Sequence, residues 1–301
     1  MQTTKVSSPS LFRRAINKVF GRKSVGEAIL YSIVFIIFVF FAFTYLYILI
    51  WGLLAGLKTP DEIVLSPFSL PTVWHFEHYI EVFSLLTVNR TNVFGMILNS
   101  VYFSVLGAFL STLMASMLAY VTSKYRFFGA KAYFIGSLIM ILLPIYGSGG
   151  SQYKLLYSLG FLNSPLMIIS SLGGMGLYYM YFHAFYQNLS WSYAEAAFID
   201  GAGNYTVFFK IMFPQTLSLF GALFLLTWIG EWNNYATALI YLPKMPTLAV
   251  GLYLFELEMS YNVRPDILYA ACIIACIPTL TLFICFNKVL MSNISLGGIK
   301  E

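Results

Sequence analysis

The sequence predicts an all-α integral membrane protein with six transmembrane helices and both termini in the cytoplasm. Three observations carry that expectation. Of 301 residues, 59% are hydrophobic and 10% charged. A soluble domain carries roughly 25% charged residues, so this chain lacks the polar surface a globule in water needs. Its charges are also clumped, leaving charge-free gaps at 28–57, 91–123, 132–153, 155–194, 211–230 and 267–287. The basic residues, finally, are shared unequally between alternate connectors, which fixes an orientation.

A bilayer core of roughly 30 Å needs about 20 apolar residues as helix. The gaps therefore predict helices at about 28–57, 94–121, 132–150, 165–186, 217–239 and 267–288, the fourth preceded by a polar lead-in with Gly160, Asn163 and Pro165. The runs are too long, and alternate too little, for barrel strands. The first run is too long for the apolar part of a signal peptide and no small-residue cleavage site follows, so it is expected to stay as an anchor. Ahead of it, 1–27 reads as a basic cytoplasmic segment, and 28–301 as one six-helix domain.

With the N-terminus inside and six alternating spans, twelve of the 17 basic residues face the cytoplasm, among them Arg13, Arg14, Lys124, Arg126, Lys131 and Lys210. Lys58, Arg90, Lys154, Lys244 and Arg264 fall outside, with the acids Asp61, Glu62, Glu77, Glu81, Glu256, Glu258 and Asp266. A net charge of +5 thus hides a cationic inner face. Such a juxtamembrane cluster is a topogenic signal and does not imply nucleic acid. Cys272, Cys276 and Cys285 all lie in the last span, where they read as small, soft packing residues. They suggest neither a disulfide framework nor a metal site.

One connector is out of character. YAEAAFIDGAGNYTVFFKIMFPQ, residues 193–215, lies between two greasy runs and faces the cytoplasm. It reads as two short helices. Ser192 and Glu195 have capping-box spacing for the first, and Gly201 or Gly203 can supply a left-handed stop. Asn204 can cap the second, and Pro214 is expected to end it before the fifth span. Phe198, Ile199, Phe208, Phe209 and Phe213 are too much apolar surface for a simple turn.

This stretch resembles the EAA loop of permease subunits of type I ABC importers, whose pattern is E-A-A, three residues, G, nine residues, I-x-L-P. Glu195, Ala196, Ala197, Gly201, Ile211 and Pro214 match it, and Asp200 belongs to a flanking IDGAG similar to the carbohydrate-importer branch, the maltose-type permeases. Phe213 stands in place of the family's leucine, and Trp191-Ser192 where a proline usually precedes the motif. Other segments resemble the branch in the same order: LKTPDEIVLSPFSLPTVWHFEHYIEVF, NSVYFSVL, SKYRFFG, EWNNYATAL, MPTLAVGL and SLGGIK. The resemblance implies that 188–216 is a coupling loop docking on a cytoplasmic ATPase. It implies further partners: two ATPase copies holding ATP and Mg, a second homologous permease chain, and an extracytoplasmic binding protein that delivers a sugar. A bacterial plasma membrane is the implied location.

No G-x-x-x-x-G-K-[ST] loop occurs, so the chain is expected to bind no cofactor of its own and to be no enzyme. With one EAA loop and no internal repeat, it is expected to be half of a pore. Gly107, Ser111, Ala115 and Ala119 form a small-residue ladder in the second span, read as close helix packing within or between chains. Glu231 sits deep in the fifth span beside Trp232, Asn233 and Asn234. A carboxylate there costs at least ~2.5 kcal/mol on insertion scales and should face the bundle interior or water. It reads either as a solute-path group, helped by its three neighbours, or as a packing hydrogen bond. His183 reads as a polar interface residue. The alternatives are an importer permease for an amino acid or anion, which lacks a mid-span cation to support it; a secondary transporter, which lacks inverted repeats; and an intramembrane enzyme, which lacks paired groups.

Overall fold

The computed structural model describes residues 25–143, 149–262 and 264–294. The basic segment 1–24, residues 144–148 of the predicted third span and the C-terminal SLGGIK lie outside the described residues. The described chain is helical apart from a two-residue hairpin, and four of its helical runs are long and apolar enough to cross a membrane: Ile29–Ala55, Val93–Lys124, Asn204–Trp232 and Pro265–Cys285. It is a multi-pass membrane protein.

The first helix, α1 (Val25–Ala55), is apolar on every face and exposed along its membrane stretch. A helix without a polar side is a helix dressed for lipid. Its C-terminal end packs on the rest of the chain. Gly52 and Gly56 form a G-x-x-x-G pair there, and the backbone of the last helix comes so close that a Cβ on Gly56 would lie 3.0 Å from the Ala270 nitrogen. Trp51 packs edge-on to Tyr269, ring centres 5.1 Å apart. This is the close approach that small residues permit in lipid.

A connecting layer of two short helices and a hairpin follows. In α2 (Pro60–Leu65), Thr59 and Glu62 cap the helix reciprocally. Lys58, 1% exposed, donates its ammonium to the Ser66 and Pro67 carbonyls at 2.7 and 3.2 Å, which is how a buried cation is tolerated. The next helix, α3 (Glu77–Leu85), is tied to α1 and to the last helix. His78 Nδ1 donates to the Gly56 carbonyl at 3.2 Å, and its Nε2 lies 3.5 Å from the buried Asp266 carboxylate. Arg264 bridges Asp266 at 2.9 Å and Glu81 at 3.3 Å. A hairpin, β1 (Thr87–Val88) and β2 (Thr91–Asn92), turns through Asn89 and Arg90, both at positive φ.

Asn92 then caps α4 (Val93–Val101) by accepting from the Gly95 amide at 2.9 Å. A π-turn at Tyr102–Leu106 joins it to α5 (Gly107–Lys124). The small-residue ladder lies on α5 against the chain's own next segments. Ser171 is 3.3 Å from where a Gly107 Cβ would sit. Ser111 and Ala115 face Gly173 and Tyr178, and Ala115 and Ala119 join the core formed with Tyr179, Phe182 and Tyr186. The ladder packs within the chain.

The third and fourth predicted helices are corrected. The third is α6 (Ala130–Leu142), thirteen residues long, and a separate α7 (Gly149–Ser158) lies beyond the undescribed residues. The fourth is not one helix. Pro165–Ser171 is a 3-10 turn, and α8 begins only at Leu177, running to Asn188. Gly173, Gly174 and Gly176 lie between them, Gly176 at φ +114°, and the freed Gly176 amide donates to Ser137 Oγ at 2.8 Å. Three glycines in four residues favour unwound chain, and a serine from α6 satisfies the backbone this exposes.

After α9 (Ser192–Ile199) and α10 (Asn204–Val207) comes α11 (Leu217–Trp232). The predicted fifth span, 217–239, breaks at Asn233 and Asn234 and resumes as α12 (Tyr235–Tyr241), with Asn234 capping through the Thr237 amide. The chain closes with α13 (Leu248–Asn262) and α14 (Pro265–Ile294), the latter with Pro278 inside it.

Candidate functional site

The connector 193–215 folds as an elbow of two short helices. Its first turn is not the expected capping box. The residue before α9 is Trp191, with no side-chain cap, and Ser192 Oγ bonds instead to Ser190 Oγ at 2.7 Å. The Ala194 and Glu195 amides reach the Trp191 carbonyl at 2.9 and 3.1 Å, so backbone does what the side chains were expected to do. The end of α9 follows expectation. Gly201 takes φ +81°, its amide donates to Phe198 O at 3.0 Å, and Ala202 N donates to Ala197 O at 2.9 Å. These two bonds form a Schellman stop, which needs a left-handed residue where glycine stands.

The second helix also differs from expectation. Gly203, not Asn204, precedes it, and Asn204 Oδ1 accepts from the Tyr125 hydroxyl at 3.1 Å. Pro214 does not end it. A π-turn at Phe208–Met212 and a 3-10 turn at Pro214–Thr216 carry α10 straight into α11. A widened turn is one way a helix accommodates a proline.

The elbow has two faces. Ala194, Ala197, Val207, Phe208 and Met212 point inward onto Tyr120, Tyr186 and Phe220. Ala197 is 9% exposed. Ala196, Glu195, Asp200 and Gly201 face solvent, with Ile199 86% and Tyr205 79% exposed. Ile211 is half-buried and Pro214 exposed. An apolar residue left that bare beside carboxylates is surface prepared for a partner. Ala197, a member of the implied coupling motif, and Phe208 both turn inward and anchor the elbow to its own chain.

The second candidate site lies where three departures from regular α-helix meet: the π-turn at 102–106, the 3-10 turn at 165–171, and the break at 233–234. They border a small recess of about 60 Å³, lined by Ser104, Ser170, Ser171, Glu231, Asn234 and Thr237 among apolar neighbours. Irregular backbone at membrane depth is tolerated where it is buried in protein or lines a wet cavity. Glu231 is the ionisable side chain there. Its side chain is exposed, and beside it Asn234 Oδ1 accepts from Thr237 N at 3.1 Å.

The other two residues grouped with Glu231 by sequence go elsewhere. Trp232 is buried against Trp228, ring centres 5.5 Å apart. With Asn233 it borders a separate, mainly apolar cavity of about 330 Å³, beside Leu49, Cys272 and Cys276. Residues 100° apart on a helix cannot all face one side. Sequence reasoning missed Ser104, Ser170 and Ser171; the polar Ser170-Ser171 pair ahead of the glycines was the available signal. His183 is buried between Phe134 and Tyr179, at ring distances of 4.7 and 5.5 Å.

No protein-family model matches the chain. Similarity to known proteins nonetheless covers most of it. It is 27% identical over 256 residues to a diacetylchitobiose uptake system permease protein of Streptomyces coelicolor, covering 84% of this chain and 83% of that one. It is likewise 27% identical over 266 residues to an arabinooligosaccharides transport system permease protein of Halalkalibacterium halodurans, covering 87% and 94%. A solved bacterial ABC transporter involved in importing the acidic polysaccharide alginate contains a chain that superposes with a TM-score of 0.71 at 21% identity, covering 88% of this chain and 98% of that one. Over more than four-fifths of its length, the chain is similar to permease subunits of carbohydrate ABC importers, and its fold is that of an ABC importer's membrane subunit.

Proposed function

We propose that this chain is a membrane-spanning subunit of an ATP-driven sugar or oligosaccharide importer in a bacterial plasma membrane. It forms half of the translocation path, with six crossings and both termini cytoplasmic. The segments around α6 and 165–188 make the two crossings that are not long continuous helices. The observation that carries the reading is the elbow 192–216: a glycine-angled element that leaves Ile199 and Tyr205 bare among the described residues.

The elbow docks on a cytoplasmic ATPase, two copies of which hold ATP and Mg and supply the energy. Because α10 runs without a break through the π-turn and Pro214 into α11, a displacement of Tyr205 is passed along that run to the helix that bears Glu231, and one of Ile199 is passed to it across the bend at Gly201. Asn233 and Asn234, where that helix breaks, end the lever at the recess. A second permease chain supplies the other half of the path. An extracytoplasmic binding protein delivers solute to the external layer of α2 and α3.

Orientation decides whether the elbow can meet an ATPase at all. With native cysteines replaced, Glu62→Cys and Glu256→Cys should react with an impermeant thiol reagent in intact cells, and Asn204→Cys only after the membrane is opened. Labelling of Asn204→Cys from outside would reverse the topology and remove the ATPase as a partner of the elbow.

A further inference from the structure

Every residue around the recess that can make a polar contact is neutral, except one. Ser104 is 2% exposed, and its Oγ has no hydrogen-bond partner in the protein. The π-turn that carries it opens the helix at that point, so the hydroxyl is delivered to the cavity wall beside Glu231. Ser170 Oγ donates to the Met167 carbonyl at 2.6 Å, which leaves its lone pairs to accept. A buried hydroxyl without a partner costs free energy unless something polar meets it. Hydroxyl donors and acceptors of this kind match the hydroxyl groups of a saccharide.

The carboxylate is what makes the recess discriminating. Among the described residues lining it there is no Lys, Arg or His to offset Glu231. A second carboxylate brought beside it would meet a like charge with no cation to offset it, and the two would oppose each other's ionisation. An ammonium or a neutral hydroxyl would not.

We propose that Glu231 makes the path charge-selective: the recess passes neutral or amino-bearing saccharides and excludes acidic ones such as uronates. The inference rests on the reading that the recess lies on the solute path. It sets this chain apart from the alginate transporter whose fold it shares, since that cargo is a polyanion.

The test reads the charge of the recess directly and needs no knowledge of the natural solute. The full chain is produced with its partner subunits in membrane vesicles, with Cys272, Cys276 and Cys285 replaced by Ala. Ser104→Cys is then reacted with a cationic trimethylammonium-ethyl and an anionic sulfonatoethyl methanethiosulfonate, with and without ATP. Rates are normalised to those of each reagent with free cysteine. The cationic reagent should be faster by about tenfold or more, and adding Glu231→Gln should bring the ratio close to one. Ser170→Cys serves in the same way if Ser104→Cys disturbs folding. Equal normalised rates with Glu231 in place would overturn the charge selectivity and leave the path intact. No reaction with either reagent in any nucleotide state would remove the recess from the path, and the proposal with it.

Discussion

Gly201→Asp should give a chain that inserts and folds at normal levels but no longer couples. At φ +81° a non-glycine residue is strained by about 1 kcal/mol or more. Nothing lies within 4 Å of the added Cβ, so the chain itself loses little more than that. The damage falls on the partner surface. Gly201 is exposed next to Asp200, and a second carboxylate there adds charge and bulk where the ATPase is to seat, while the strain shifts the angle between α9 and α10. The expected outcome is loss of ATPase co-purification and of solute-stimulated ATP hydrolysis. Gly201→Ala, with the strain but not the charge, should retain much of both. Ala197→Asp separates the two faces of the elbow. Because Ala197 packs against the chain's own core, its charge costs several kcal/mol to this subunit and should lower its abundance before any docking is measured. Equal abundance of the Gly201→Asp and Ala197→Asp proteins would contradict this assignment of faces.

Gly56→Leu should be the most destabilising single change at the outer side. A Cβ at 56 would lie 2.9 Å from the Tyr79 hydroxyl and 3.0 and 3.1 Å from the Ala270 nitrogen and Cα. The tyrosine is held by a 3.0 Å bond to the Leu53 carbonyl, and the Ala270 atoms are helix backbone, so neither can yield. Side chain must therefore push α1 off α14, at an overpacking cost of at least ~2 kcal/mol, and break the His78 bond to Gly56 O. The thermal midpoint of the purified complex in detergent should fall by ~5 °C or more. Gly52→Ala, whose Cβ would meet only the tip of Ile273 at 3.4 Å, should be nearly neutral. A neutral Gly56→Leu would mean that α1 and α14 do not cross here.

These variants also show how far the sequence could be read. Long charge-free runs give α1 and α14 directly, because lipid leaves a helix no choice but to be apolar throughout. Gly201 and Gly203 were equal candidates for the left-handed stop by sequence, and the structure puts the positive φ at Gly201. The fourth span failed where composition and conformation part: Ser170 to Gly176 is apolar enough to sit in a membrane, yet its glycines favour unwound backbone and its serines line a recess. The recess itself was half legible. Glu231 announces itself by charge, but Ser104 reaches it only through a π-turn, which leaves no mark in the residue types. The inward turn of Ala197 was hidden for a related reason. An alanine suits a groove in a partner and a tight contact at home equally well, and only the packing on Tyr120 and Phe208 decides. The G-x-x-x-G at Gly52 and Gly56 was there to be read and marks where α1 meets the backbone of α14.

The central claim, ATP-driven saccharide import through this chain, is tested most directly by uptake. The chain would be reconstituted in proteoliposomes with its partner permease, ATPase and binding protein, ATP trapped on the ATPase side, and a panel of radiolabelled neutral oligosaccharides supplied on the other. Accumulation of at least one saccharide against its gradient is expected, abolished when ATP is replaced by a non-hydrolysable analogue or when the chain carries Gly201→Asp. Accumulation driven by an ion gradient without ATP, or undiminished with Gly201→Asp in an intact complex, would contradict the account.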